Sequence, residues 1–288
     1  MNLGVLFAFG ALFGWAVGDF LIQRTVRATS IIKSLFYIGF VGAIGILPFV
    51  INDIRTILPD PANWPLLFIL AAIVILAALA NFQGLKQGKL SVVLPLNGVE
   101  LPVTIVLSWW LGHERLGWHY YGLMGVVAIG IALTLISSFG HLKKIRLEKG
   151  VFYALLGAVG LGATSFVVGF MSQSMTPLFT IWFSHTSAAL VCLIILMRQK
   201  ELKNTVSQIW RHPHIIFWQS FLDNASWIFF AFASTFIPIS VATTISECYI
   251  AVGAVLGLLI NKERLKGHQY LGAAISFLGV ILLSAMAS

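Results

Sequence analysis

Apolar residues in this chain neither alternate with polar ones nor keep to one helical face. They run almost unbroken through ten stretches, near residues 3–23, 30–51, 63–83, 90–111, 118–138, 150–172, 177–197, 214–236, 239–260 and 267–286. A helix needs about 20 apolar residues to cross the hydrocarbon core of a bilayer. Strands are excluded, because an open sheet edge cannot face lipid and barrel strands alternate apolar with polar residues. The pattern therefore predicts an all-α membrane protein with ten transmembrane helices. The longest connection, 198–213, leaves no room for a soluble domain. The first stretch follows only Met1 and Asn2 and lacks a charged leader, so a retained helix is expected there in place of a signal peptide.

Composition agrees, with 59% hydrophobic and 10% charged residues. The net charge of +8 could suggest a nucleic-acid partner, but its distribution excludes one. Of the 18 Lys and Arg, 16 fall at alternate connections, among them Arg24, Lys86, Lys144, Arg198 and Lys262, and only Arg55 and Arg115 lie on the other side. This is the positive-inside asymmetry. It places those connections in the cytoplasm and both termini outside, in a multi-pass protein of the inner cell membrane. Cys192 and Cys248 both fall within apolar stretches and are expected to pack as small apolar groups.

Shifted by 149 residues, Leu90–Leu135 falls on Ile239–Ser284 with 12 of 46 positions identical and no gap, including Ser91/Ser240, Glu114/Glu263 and Arg115/Arg264. A shift of 146 aligns Gly14 with Gly160 and Phe20 with Phe166. The chain thus divides into a first five-helix repeat (1–138), a basic connecting loop (139–149) and a second five-helix repeat (150–288). An odd number of spans per repeat inverts one copy relative to the other, an architecture of transporters that expose a central site to each side in turn.

At the turn after the fourth stretch the chain reads Leu111-Gly112-His113-Glu114-Arg115-Leu116, and its second copy reads Asn261-Lys262-Glu263-Arg264-Leu265. With the Gly14-Trp15 pair and the two five-span repeats, the chain resembles the EamA-type branch of the drug/metabolite transporter superfamily. The resemblance implies secondary transport of a small metabolite and, from the family's habit, cytoplasmic termini, opposite to the charge count. Many relatives carry an arginine within the second and seventh spans. Here Tyr37 and His185 stand near those places, which speaks against an anionic substrate.

The chemistry lies in the few polar groups inside the membrane. Asp19, Glu100, Asp223 and Glu247 fall within apolar stretches. A carboxylate near a helix centre costs about 2.5–3.5 kcal/mol on insertion scales, so a cavity, a proton or a bound cation must offset it. Glu100 lies near mid-span among Pro95, Asn97, Gly98 and Pro102, which predicts a broken helix. Asp223 adjoins Asn224, and Trp227 follows at i+4 on the same face, an arrangement suited to an ammonium group. Glu247 sits between Ser246 and Tyr249 in the ninth stretch. Asp19, one turn from Arg24, is expected to reach the headgroups or pair with that arginine. His185 is expected to be a proton relay, a counter-charge or a packed neutral ring. Lys33 is expected to snorkel, the Glu-Arg turns to fix helix ends, and Gly10, Gly14 and Gly18 to let a helix approach closely, within the chain or across a homodimer.

These residues predict a cavity walled by the first, fourth, eighth and ninth spans. Glu100, Asp223 and Glu247 are expected to bind substrate and exchange protons, with His185 sharing the second role. Trp15, Tyr37, Asn224, Trp227 and Tyr249 complete the expected binding set. The favoured substrate is a small organic cation or amine-bearing metabolite. An amino-acid or metabolite exporter is the alternative, and a lipid-linked sugar flippase is disfavoured by the shortage of intramembrane Arg and Lys. No Walker loop, metal-ligand cluster or nucleophile elbow occurs, so no cofactor, metal or catalytic residue is expected, and the partners are a small molecule and the bilayer.

Overall fold

The computed structural model of the chain describes residues 2–87, 96–135, 149–252 and 266–287. Every described element is helical: α1 (Leu3–Ala28), α2 (Ile31–Ile57), a single 3-10 turn (Pro61–Asn63), α3 (Trp64–Gln87), α4 (Glu100–Trp110), α5 (Trp118–Leu135), α6 (Lys149–Ser174), α7 (Pro177–Arg198), α8 (Leu202–Arg211), α9 (Pro213–Phe236), α10 (Ile239–Glu247) and α11 (Gly267–Ala287). The sequence marks several boundaries. Asn2 caps α1 by accepting from the Gly4 N–H, Ser30 caps α2 through Lys33 N–H, and Thr176 caps α7 ahead of Pro177. Such side chains satisfy backbone donors that a helix start leaves open.

Among the described residues, six helices are long and apolar enough to cross a membrane, so length and apolarity alone do not reach the expected ten. Four stretches make up the difference. The 24-residue α9 carries Gln219, Ser220, Asp223, Asn224 and Ser226 on a buried face, which lowers its hydropathy while fitting it to the interior. The fourth, fifth and ninth stretches are described only in part, as α4, α5 and α10. The sequence pattern also missed α8, a short amphipathic helix in the connection 198–213. It is fastened to α2 by Tyr37, whose hydroxyl donates to the Thr205 carbonyl at 2.8 Å, and by Lys33, which does not snorkel but pairs with Glu201 at 2.9 Å.

Packing follows the repeat. α1 lies along α9, α3 along α6, α2 along α7 and α5 along α11, while α10 touches α1 and α4, and α4 touches α6. Matching the repeats in order (α1 with α6, α2 with α7, α3 with α9, α4 with α10, α5 with α11) and exchanging them turns α1–α9 into α6–α3 and α1–α10 into α6–α4. The pairs α2–α7, α4–α10 and α5–α11 map on to themselves. These principal pairings are closed under exchange of the repeats, as a pseudo-two-fold axis requires. Each of these helices has its most extensive partner in the other repeat, so the sequence halves interleave and do not form separate bodies. The Gly10, Gly14 and Gly18 stripe is taken up inside the chain by α9, meeting Phe229, Ser226 and Leu222 in turn.

Asn2 donates to the Ala287 carbonyl at 2.9 Å, so the two ends of the described chain meet at one end of the bundle. Arg55 and Arg115 lie at that end, and the Lys33–Glu201 pair and α8 lie at the opposite, basic end.

Candidate functional site

Glu100 and Glu247 owe their positions to two helix breaks. The α-helical hydrogen-bond ladder is interrupted at Gly98–Val99, just before α4, and again at Cys248, just after α10, where the Val99 and Cys248 N–H groups bond three residues back to the Leu96 and Ile245 carbonyls. These positions coincide under the 149-residue shift, so the break is a property of the repeat. Glu100 follows the first break directly and Glu247 precedes the second. Discontinuous helices at corresponding places in two repeats are the usual makers of a midplane site in transporters.

A cavity of about 90 Å³ lies between the breaks, in the part of the bundle nearer the basic end. Four carboxyl groups from four helices face it: Asp19 of α1, Glu100 of α4, Asp223 of α9 and Glu247 of α10. Trp15, Trp227 and Tyr249 form an aromatic wall, with the Trp15 ring edge-on to Trp227 at 5.0 Å and 6.1 Å from Tyr249. Asn81, Asn97 and Thr164 add neutral polar groups, and His185 enters from α7. Among the described residues the wall contains no Arg or Lys.

The polar groups are partly satisfied by one another. Ser165 Oγ donates to Glu100 Oε1 at 2.8 Å. The Glu100 and Glu247 carboxyl groups lie close enough to interact directly across the cavity. One oxygen of Glu247, Oε2, is buried without a hydrogen-bond partner. A buried polar atom left so carries a penalty of about 1–3 kcal/mol, which an entering donor or cation would relieve. The Tyr249 hydroxyl lies beside Asp19. His185 Nε2 lies 4.0 Å from Asp223 Oδ2, and His185 Nδ1 lies 2.6 Å from Asn224 Oδ1.

Of the residues expected from sequence, the structure brings Glu100, Asp223, Glu247, His185, Trp15, Trp227 and Tyr249 to one cavity. Asn224 stands one layer behind, holding His185. Tyr37 is not among the lining groups; it is consumed in fastening α8. The wall is wider than the first, fourth, eighth and ninth spans, because α2, α3, α6 and α7 also contribute. Asp19 is the principal correction. It faces the cavity instead of the headgroups, and Arg24 lies over the Phe20 ring, 4.4 Å from its centroid. The sequence carries the sign: Trp15 and Asp19 are four apart on α1, just as Asp223 and Trp227 are on α9, and residues so spaced share a helix face. Ser165 and Asn81 carry no comparable sign.

The Glu-Arg turn has a defined task. His113, in the left-handed region at φ 53°, swings Glu114 towards the start of α10. There Glu114 accepts from the Ile239 N–H at 2.5 Å, the Ser240 N–H at 3.2 Å and the Ser240 hydroxyl at 2.7 Å. A residue of one repeat thus caps a helix of the other, and that helix ends in Glu247. Glu263 and Ser91, the repeat counterparts of Glu114 and Ser240, lie outside the described residues.

Comparison with known proteins agrees with this architecture. The family model of the EamA-like transporter family matches residues 2–136 and 148–285. A solved structure described only as "Crystal structure of protein" superposes with a TM-score of 0.68 over 99% of both chains at 14% identity, which bears on the fold alone. No curated protein matches the chain in sequence. The family is one of multi-pass membrane transporters. The chain belongs to the EamA-like transporter family, within the drug/metabolite transporter superfamily, and it is not an enzyme. Its partners are accordingly a small-molecule substrate and membrane lipid.

Proposed function

We propose that this chain is a secondary transporter of the inner cell membrane that moves a small organic cation or amine-bearing metabolite by alternating access, in exchange for protons. The observation that carries this reading is the set of four carboxyl groups and three aromatic rings facing one cavity whose described wall has no Arg or Lys. An ammonium group is held by charge-assisted bonds to carboxylates and by attraction to aromatic faces. An anionic substrate, or the phosphate of a lipid-linked sugar, would meet uncompensated repulsion.

In this reading the ten apolar stretches are ten crossings in two inverted repeats, 1–138 and 150–288, joined by the basic loop 139–149. The basic end faces the cytoplasm and the end holding both termini faces outward. A cavity of about 90 Å³ is smaller than the 150 Å³ or so that holds benzene. It therefore corresponds to a contracted state, and helices must part for substrate to enter. Because the repeats interleave, the parting runs between helix pairs and not between sequence halves.

The test is a thermal-shift screen of purified protein with amines, amino acids and sugars. A ligand that binds only the folded state raises stability by RT ln(1 + [L]/Kd), about 2.7 kcal/mol at one hundred times Kd. Amines are expected to stabilise. Stabilisation by neutral amino acids and not by simple amines would favour the exporter alternative.

A further inference from the structure

We propose that His185 is the proton-exchange group of the cavity and that its Nε2 atom, once protonated, competes with the substrate's ammonium for Asp223. The proposal deepens the cation reading above and rests on it. The geometry starts at Asn224. Its Nδ2 lies 3.0 Å from the Ile38 carbonyl of α2 and 2.7 Å from the Ser220 carbonyl of its own helix. Carbonyls only accept, so this end of the side chain is the NH2 group, and both its hydrogens are used. Oδ1 is therefore the atom that faces His185 Nδ1 at 2.6 Å. An amide oxygen only accepts, so Nδ1 carries a hydrogen. In the neutral ring this leaves Nε2 with the lone pair. Two backbone carbonyls, acting through one amide, set the tautomer of His185.

Nε2 lies beside the carboxylate of Asp223, which lines the cavity. The 4.0 Å between Nε2 and Asp223 Oδ2 is too long for a hydrogen bond and short enough for a protonated ring to neutralise the carboxylate. Gly42 of α2 keeps the arrangement open, since a Cβ there would run into both Asn224 Oδ1 and His185 Nδ1. The remaining ionisable groups around the site are Asp19 from α1, Glu100 from α4, Glu247 from α10, Tyr249 beyond the break, and Cys192 further along α7. Among the described residues α2, α3 and α6 add no ionisable side chain to the wall. Glu100 and Glu247 face each other across the cavity, and Asp19 lies beside Tyr249. His185 is the cavity's imidazole, poised to add a proton at Nε2 without breaking a hydrogen bond.

The exchange balances. An ammonium group arrives beside Asp223 and the proton on Nε2 leaves to water, so the ammonium replaces the imidazolium charge and the site as a whole keeps its net charge. Linkage makes the effect reciprocal, so protonation of Nε2 weakens ammonium binding by the same factor.

The test uses purified full-length protein and n-propylammonium as probe. Protons released on binding are counted with an indicator dye in weak buffer, for wild type and His185→Gln, and the imidazole tautomer is read from 15N NMR of wild type. The expected results are an Nδ1–H tautomer, release of up to about one proton per bound cation by wild type at low pH, and near-zero release per bound cation by His185→Gln. In the same range wild-type affinity should rise by up to about tenfold per pH unit. An Nε2–H tautomer overturns the proposal whether or not any variant folds. Unchanged proton release from His185→Gln also overturns it, assigning the exchange to a carboxyl group. Failure of wild type to bind any amine instead overturns the cation reading beneath it.

Discussion

Glu114 joins the two repeats through a single carboxylate, and removing it should be felt throughout the site. Three donors converge on it: the Ile239 and Ser240 N–H groups and the Ser240 hydroxyl. In Glu114→Ala the start of α10 loses its cap, a change that typically costs about 0.5–2 kcal/mol. The lost bonds also go to a charged acceptor, each contributing about 1.5–3 kcal/mol in favourable settings. The group is only part-buried, so water replaces some of them, and a net loss of about 2–4 kcal/mol follows. For a domain of about 150–250 residues each kcal/mol shifts Tm by about 2–4 °C. Thermal unfolding in detergent should therefore show Glu114→Ala lower by about 5–15 °C, and Glu114→Gln, which keeps one acceptor oxygen, lower by about half as much. Since α10 ends in Glu247, ligand-induced stabilisation should weaken as well. A Glu114→Ala protein within about 1 °C of wild type would refute the cap as a structural joint.

Other substitutions test separate parts of the account. Gly14→Val should drive a side chain into Ser226 and the Leu222 carbonyl of α9, costing about 1–3 kcal/mol of overpacking in thermal unfolding. Asp19→Asn should reduce amine binding in the thermal-shift assay while leaving the fold intact, which a headgroup-facing Asp19 would not do. Lys33 and its hydrogen bonds hold the Glu201 carboxyl below its ordinary range. A depressed carboxyl contributes stability that is full above its ordinary pKa and lost as pH falls through the folded value. Wild type should accordingly lose a small increment of stability at acid pH that Glu201→Gln lacks, as seen in unfolding midpoints from about pH 3 to 6.

Much of this architecture was legible in the sequence because bilayers impose a coarse rule. Solid apolar runs such as 63–83 have one reading, and the 149-residue shift exposes the repeat. Glu100, Asp223 and Glu247 stood out because a carboxylate in an apolar run needs a reason. What stayed hidden depends on helix rotation and on partners distant in sequence. Asp19 was read by its nearness to Arg24, although its i−4 relation to Trp15 decides its face. Tyr37 was placed in the site by analogy of position, while its hydroxyl goes to a carbonyl of a helix 168 residues away. The break at Cys248 has no proline to announce it, and α8 hid in a connection because its apolar residues recur at helical spacing over only ten residues. The cap by Glu114 spans 125 positions and no local pattern encodes it.

The central claim is that cavity carboxylates hold a cation during transport, and uptake into proteoliposomes tests it most directly. Labelled small amines would be followed for wild type, Asp223→Asn and Glu100→Gln across about pH 5–8. Both replacements keep shape and hydrogen-bonding capacity while removing charge, and charge-assisted bonds are roughly twice as strong as neutral ones. The account requires that wild type transport an amine, that its uptake fall at low pH where protons compete, and that both variants fold yet lose most uptake. Normal amine uptake by both variants with an unchanged pH profile would contradict it and leave the carboxylates a structural role.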